Sequence, residues 1–340
     1  MARDATELSL RPGWARRLVA GPRILALRRY GLQIGTVAMA LLLWVIYAVK
    51  APETWLSDDR IYSSLMSTVP FTAVMALGLT LVVIAREIDL SFPSVMAVSA
   101  LVFVETPGDP VFGLLAGVGA GLVVGLLNGL VVVKLGIPSL VATIGTLFFW
   151  RGIVLVATGG NGSGLTDESA SWVGRVLVGR IADGRIPAQM LWTLGFAVCL
   201  WLLLNRHRFG AHVYLVGDNV ESAKMMGVNA DRVRTAVFTM LGGLAGFAGI
   251  VSGLEVSYFW PTGGEGQLLP TIVAVFIGGT SVFGGTGTIF GTTLGSFITG
   301  SIEPGIVSIG LTGFYTQVIW GAMIVLALVM QAVVMRRVGR

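Results

Sequence analysis

The amino-acid sequence predicts an all-α integral membrane protein: a polytopic helical bundle of about ten transmembrane segments with both termini cytoplasmic. Three observations predict it. Of 340 residues, 54% are hydrophobic and 12% charged, where a soluble domain carries about 25% charged residues. Apolar stretches of about 20 residues recur along the whole chain, each long enough for a bilayer core. Lys and Arg gather at the ends of these stretches and in a few loops, as membrane topology places them. The alternation of a transmembrane barrel strand is absent, and the apolar runs are too long for it.

The segments follow in order. Residues 1–30 form a basic tail carrying Arg3, Arg11, Arg16, Arg17, Arg23, Arg28 and Arg29. No small-residue cleavage pattern follows the next apolar run, which argues against a secretory signal. Ten apolar segments are expected at 31–49, 61–85, 92–104, 111–133, 138–157, 187–204, 234–256, 267–283, 288–303 and 313–335. The third and ninth are short for a span. The tail, the loop 205–234 and the end 336–340 are basic, and setting all three on the cytoplasmic side requires six spans before residue 205 and four after it. Both short segments are therefore kept as spans within one transmembrane unit, 31–335. One loop fits this rule less well: 158–186 carries Arg175, Arg180 and Arg185 on the outer side, partly balanced by Asp167, Glu168 and Asp183.

Glycine is abundant, 47 of 340 residues. In the fourth segment Gly113, Gly117, Gly121, Gly125 and Gly129 repeat every fourth residue, which aligns them on one helix face as an extended seam for another helix. Packing explains such a seam, and a lining role for a pathway is the sharper alternative. Asn128 is the one internal polar group of this segment, suited to an interhelical hydrogen bond. Cys199 lies in an apolar run and reads as a small buried hydrophobe.

Ionisable groups inside a membrane are costly and functional, and this chain has almost none. Arg151, Glu255 and Glu303 fall near expected segment ends. A proton- or sodium-driven carrier keeps carboxylates or broken-helix ion sites near the midplane, and a membrane enzyme needs a nucleophile or metal cluster. Neither pattern stands out, and the two histidines, His207 and His212, share one loop. No catalytic, cofactor-binding or metal-binding residue is assigned. No phosphate-binding GxxxxGK[ST] motif is present, so an ATP-driven role places the ATPase on another polypeptide. The loop "NRHRFGAHVYLVGDNVESAKMMGVNADRVR" (205–234) is the longest basic one. Within it "DNVESAKMMGV" predicts a short helix: Asp218 or Asn219 as N-cap, Glu221 in the first turn, Gly227 at its end. Such a helix suits docking into a partner's groove.

The turn "REIDLSFP" sets Arg86, Glu87 and Asp89 after the uncharged run 61–85. Even span parity puts it at the inner surface, where charges are tolerated. Asp89 or Ser91 is expected to cap the third helix and Pro93 to fill its first turn.

Four stretches resemble the permeases of sugar-type ATP-binding-cassette importers, the group that includes ribose, xylose and arabinose permeases. "EIDLS" is similar to that family's (G)xIDLSVG signature. "GLLNGLVVVKLGIPSLVATIGT" (125–146) resembles its NGxLV…IPxFIATLGT block. "FGAHVYLVGDNVESAKMMGV" (209–228) resembles its FGRxVYAVGxNxxAAxxSGI loop, and "IGGTSVFGGTGTIFGTTLGS" (277–296) its IGGTSLFGGxGSxxGTxxG block. The four occur in the family's order and cover most of the chain from about 60 to 335.

The resemblance implies the membrane subunit of an importer that moves a sugar or related polyol, in a bacterial inner membrane. The implied partners are a cytoplasmic ATPase carrying the ATP and Mg, a periplasmic binding protein, and a second permease copy or paralogue; nucleic acid is not among them. It also implies that 209–228 couples to the ATPase, with Gly217, Asn219, Glu221, Ala223 and Gly227 at matching positions. Glu87, Asp89 and Ser91 mark the inner-turn signature, where Glu87 and Asp89 either help seat the ATPase or only cap. Gly278, Gly279, Gly284 and Gly285 belong to the last block. Three departures mark a subgroup: Arg86 and Glu87 before Ile88, Phe92 and Pro93 after Ser91, and "LLPTIVA" (268–274) in place of an acidic stretch. No particular sugar follows from it. The alternatives are an ion-coupled secondary transporter and an integral membrane enzyme.

Overall fold

The structure is a computed structural model that describes residues 22–338. Positions 1–21 of the basic tail and the final pair 339–340 lie outside the described residues. All ten apolar segments are helices: α1 (Pro22–Lys50), α2 (Arg60–Ile84), α3 (Phe92–Glu105), α4 (Pro110–Leu135), α5 (Ser139–Thr158), then after two short helices α6 (Thr166–Ala170) and α7 (Trp172–Val178), α8 (Ala188–Arg206). The loop 205–234 contributes α9 (Arg208–Asp218) and α10 (Val220–Met225). Then come α11 (Ala230–Glu255), α12 (Leu268–Ile277), α13 (Ile289–Ser308) and α14 (Tyr315–Val338).

Seven of these are long and apolar enough to cross a membrane: α1, α2, α4, α5, α8, α11 and α14. Two expectations about length change. The ninth segment is a full 20-residue helix, α13, which runs on through Pro304 to Ser308. The eighth is the short one and stops at Ile277. The letters that extended it on paper, "GGTSVFGG", form turns, because Gly279, Gly284 and Gly285 have φ of +85, +82 and +70°, a region glycine enters without steric cost.

The core is apolar, as in a soluble bundle, but much of the outer surface is apolar as well. α2 and α11 are enclosed on nearly all sides, whereas α1, α4, α5, α8 and α14 turn large apolar side chains such as Leu41, Phe148 and Val156 outward. That is the arrangement a lipid solvent permits. Between helices in lipid, close packing does the work that hydrophobicity does in water, and the glycine seam of α4 shows how close. A Cβ on Gly121 would stand 2.5 Å from the Gly242 carbonyl oxygen, and one on Gly125 2.4 Å from that of Phe238, both on α11. Gly113 and Gly117 meet the carbonyls of Phe103 and Ser99 on α3, and Gly129 meets Thr235.

Helix ends follow their sequence signals. Asp109 accepts from the Val111 amide ahead of α4, and Gly136 (φ +68°) closes that helix. Asn229 accepts from Arg232 to start α11, and Thr288 from Gly291 to start α13. Small two-residue strands finish the other end of the bundle: β1 (Ser163–Gly164) pairs antiparallel with β4 (Tyr258–Phe259), and β2 (Arg180–Ile181) with β3 (Ile186–Pro187).

Candidate functional site

At the C-terminal end of α2 the four sequence blocks come together. α2 ends through Arg86, a non-glycine residue at φ +66°, whose amide bonds Val83 while that of Glu87 reaches back to Val82. The chain then runs alongside α5 to Ser91. The Ile88 amide donates to Ser139 Oγ and that of Leu90 to Thr143 Oγ1, each 3.1 Å away. Two hydroxyls of the second block thus replace the partners that a strand or helix would have given this backbone.

Asp89 accepts from both the amide (2.7 Å) and the hydroxyl (2.5 Å) of Ser91. The Ser91 hydroxyl in turn accepts from Asn128 Nδ2 at 2.6 Å, and Trp150 Nε1 donates to Asn128 Oδ1 at 3.3 Å. This chain joins the turn to α4 and α5. Ser91 occupies the N-cap position of α3 but its side chain makes no capping bond, and Pro93 sits in the first turn as expected. The carboxylates are not at a solvated surface: Glu87 is 7% and Asp89 2% exposed, while Arg86 is exposed. Burial pushes the Asp89 carboxyl up to about 6, opposed by its two hydrogen bonds from Ser91. Glu87 is ion-paired with Arg234 in the second turn of α11. Neither acid faces outward to a partner, and Glu87 ties the turn to the far end of the loop 205–234.

α9 is the element the sequence did not announce as a helix. Gly210, Val213, Val216 and Gly217 are its buried face. At Gly217 a Cβ would stand 1.7 Å from the Ile84 carbonyl oxygen and 2.7 Å from the Gly285 amide nitrogen. That same amide donates to Ile84 O at 2.9 Å. A Cβ on Gly284 would meet Arg86 Cβ and the Gly217 carbonyl, and one on Gly285 would meet Asp218. Three backbones, from α2, α9 and the turn after α12, therefore touch with no side chain between them. Tyr214 adds a hydroxyl donated to Gly287 O at 2.9 Å, and burial raises its pKa. Gly278 packs its backbone against Gly291 and Thr292 of α13, and Gly279 makes the turn.

From this junction α10 projects. Asn219 accepts from the Ser222 amide at 2.9 Å, which starts the helix, and Asp218 belongs to the end of α9 instead. Glu221 is exposed and lies 3.0 Å from Lys224. Ala223 is fully buried, and Gly227 (φ +80°) ends the turn. Met225 and Met226 are 82% and 59% exposed, a soft apolar pair on a short helix.

Two groups were missed from sequence. Arg151 is not at a segment end but well inside α5, buried, donating to the carbonyls of Pro261, Pro93 (3.1 Å) and Gly263 (3.0 Å), with Glu265 at 3.6 Å. It pins the loop between α11 and α12 to the start of α3. Gln331 of α14 accepts from the Val282 amide and donates to Thr280 O, both at 3.0 Å, satisfying the turn after α12. An arginine among apolar letters carries a signal, since intramembrane charges are rarely idle; Gln331 carried none. Cys199 is exposed rather than buried.

A helical bundle with an apolar outer surface, a glycine-lined backbone junction and a short exposed helix at one end has the build of a multi-pass membrane permease. The chain matches, over residues 61–328, the family described as the permease component of the branched-chain amino acid transport system, and it belongs to that family. It is 30% identical to the ribose import permease protein RbsC of Escherichia coli strain K12 over 295 residues, covering 85% of this chain and 90% of the relative. With the RbsC of Bacillus subtilis strain 168 identity is 33% over 270 residues, 78% of this chain and 83% of the relative. With the autoinducer 2 import system permease protein LsrC of Yersinia pseudotuberculosis strain YPIII it is 36% over 282 residues, 80% of this chain and 78% of the relative. No solved structure matches. The resemblance carried by the four blocks holds.

Proposed function

We propose that this chain is the transmembrane subunit of an ATP-binding-cassette importer that brings a sugar or related polyol into the cytoplasm of a bacterium. In this reading it spans the inner membrane ten times with both termini inside. It binds no nucleotide itself: ATP and Mg sit on a cytoplasmic sugar-type ATPase. A periplasmic binding protein delivers the substrate, and a second copy or a paralogue completes the pathway. The observation that carries the reading is the convergence of all four blocks at the end of α2, from which α10 presents Glu221, Met225 and Met226.

The mechanism follows from stiffness. ATP binding closes the ATPase pair and displaces the docked α10. Because α10 is capped at Asn219 and continues directly from α9, the pair moves as one body. At Gly217 the load passes from backbone to backbone into α2 and the turn 278–288, and the Glu87–Arg234 pair carries the same displacement into α11. The bundle then changes the side it opens to. No covalent chemistry falls to this chain. The sugar class is supported by the relatives' names, ribose and autoinducer 2. The family description favours a second substrate class, branched-chain amino acids; an apolar substrate side chain would have to be met by apolar walls along the route.

The test is purification of the tagged chain from its native membrane in mild detergent, with identification of the companions. A stoichiometric ATPase, lost when Glu221 is replaced by Arg, is the expected result. A chain that purifies alone and transports in vesicles without ATP overturns the proposal in favour of a secondary carrier.

A further inference from the structure

Two of the three arginines that break the topological rule have a use. Arg180 and Arg185 come from the β2–β3 hairpin of the loop 158–186, at the end of the bundle opposite the junction. Arg180 donates to Ser63 Oγ at 2.9 Å and to Ser67 Oγ at 3.3 Å, and lies 3.7 Å from Glu255 at the end of α11. Arg185 lies 3.8 Å from Asp59 at the start of α2. Between the hairpin and the first two turns of α2 is an open cleft of about 690 Å³. Three basic residues (Arg60, Arg180, Arg185) and three acidic ones (Asp59, Asp183, Glu255) line it, so its formal charge is zero, and the hydroxyls of α2 fill the space between them.

We infer that this cleft is a receiving site for the transported molecule, and that its ligand is a neutral polyhydroxylated compound. The inference rests on the importer reading above and adds the site to it. Paired guanidinium and carboxylate groups offer donors and acceptors side by side, which a hydroxyl, being both, satisfies at once. Zero net charge gives no advantage to an anion or a cation, and a branched aliphatic side chain would desolvate these charges without return. A site that takes a ligand in hand-over must also let it go, so binding is weak. The floor is α2, the most enclosed helix, whose other end is the Gly217 junction. Twenty-five helical residues at about 1.5 Å rise each make a rod of roughly 36 Å between the cleft and the ATPase side. An occupied cleft and a displaced α10 thus act on the two ends of the same helix.

The experiment uses the assembled complex in detergent, with the native Cys199 replaced by Ser and a reporter thiol introduced by Thr68→Cys, an exposed position lining the cleft. The rate of labelling by a small polar thiol reagent is followed with and without a mixture of ribose, xylose, arabinose, glucose and galactose. For a Kd of about 10 mM, about 20 mM of the bound sugar slows labelling about threefold; glycine betaine at equal osmolality is the control. The expected result is that slowing, lost with Arg180→Gln and independently with Glu255→Gln. No slowing by the sugar mixture overturns the inference. Slowing by leucine, isoleucine and valine instead overturns the ligand class. Slowing only by the binding protein, whether or not sugar is present, overturns it as well and makes the cleft a protein-docking face. ATPase co-purification is scored on the same samples, so failure of the importer reading is seen separately from failure of the site.

Discussion

Replacing Gly217 by Ala is the sharpest perturbation available at the junction. The new Cβ begins 1.7 Å from the Ile84 carbonyl oxygen, and both nearest neighbours are backbone. No rotamer change relieves that contact, so α9 must retreat by about 1.3 Å to reach the 3.0 Å that carbon–oxygen contacts tolerate. Overpacking of this kind costs about 3 kcal/mol. The retreat also strains the hydrogen bonds Gly285 N–H to Ile84 O and Tyr214 O–H to Gly287 O; losing one of them adds about 1 kcal/mol. A penalty of about 4 kcal/mol lowers the population of seated α9 roughly a thousandfold relative to its alternatives. The assay is ATP-driven uptake into vesicles containing the variant, its ATPase and its binding protein, alongside the thermal transition of the purified chain. We expect uptake reduced by about two orders of magnitude or more while the bundle, whose core is α2 and α11, keeps a cooperative transition. Uptake within about twofold of wild type would refute the reasoning, because it would mean that force does not pass through this contact.

Three further outcomes are expected. Gly125→Ala, which drives a Cβ against the Phe238 carbonyl, destabilises by about 2 kcal/mol, whereas Gly119→Ala, with nothing within 4 Å, leaves the melting temperature unchanged or raised; equal melting temperatures for the two would remove the seam. Arg151→Met leaves three carbonyls without their donor and costs about 3 kcal/mol, with new protease cuts within 256–267 and partial rescue in Arg151→Lys; an uncut loop in the Met variant would contradict this. Asp89 has its folded pKa raised to about 6 from 3.8, so between those values the folded protein holds a proton that the unfolded chain has lost. Stability therefore falls as pH rises through that window, by about 3 kcal/mol in all, and is flat above it. Asp89→Asn should abolish that slope in thermal unfolding measured from pH 4 to 7.5, and parallel profiles for the two proteins would argue against it.

The helices were legible in the sequence because run length and charge placement are crude quantities that a bilayer enforces strictly. Their limits were less so. The stretch after Ile277 reads as apolar by letter, yet its glycines take positive φ and turn the chain. The reverse error made α13 look short, since its Thr and Ser hydroxyls lower its apolar character while bonding back to their own helix, as Thr293 does to Ile289 and Thr299 to Gly295. The loop 205–234 was read correctly as far as the short helix α10, where the Asn219 cap is a local signal. α9 was missed, although Gly210, Val213, Val216 and Gly217 keep a helical spacing, because its partner surface lies far away in sequence. The turn 86–91 was misjudged in a more telling way. Three charges within four positions suggest solvent, and only the fold shows that Arg234 and Ser91 are waiting for two of them.

The stitch made by Gln331 sets an order of assembly. Chain synthesis delivers α2, α9 and the turn 278–288 well before α14 emerges, but the Thr280 carbonyl and the Val282 amide have no side-chain partner until position 331 is in place. A buried backbone group left without its partner costs about 1–3 kcal/mol, so the turn that carries Gly284 and Gly285 stays unsettled while the nascent chain is incomplete. On the importer reading proposed above, the surface that would meet the ATPase is thus among the last parts of the molecule to be finished. A chain cut short before residue 331 is expected to insert its earlier helices yet to recruit no ATPase, so that only fully made subunits enter the transporter.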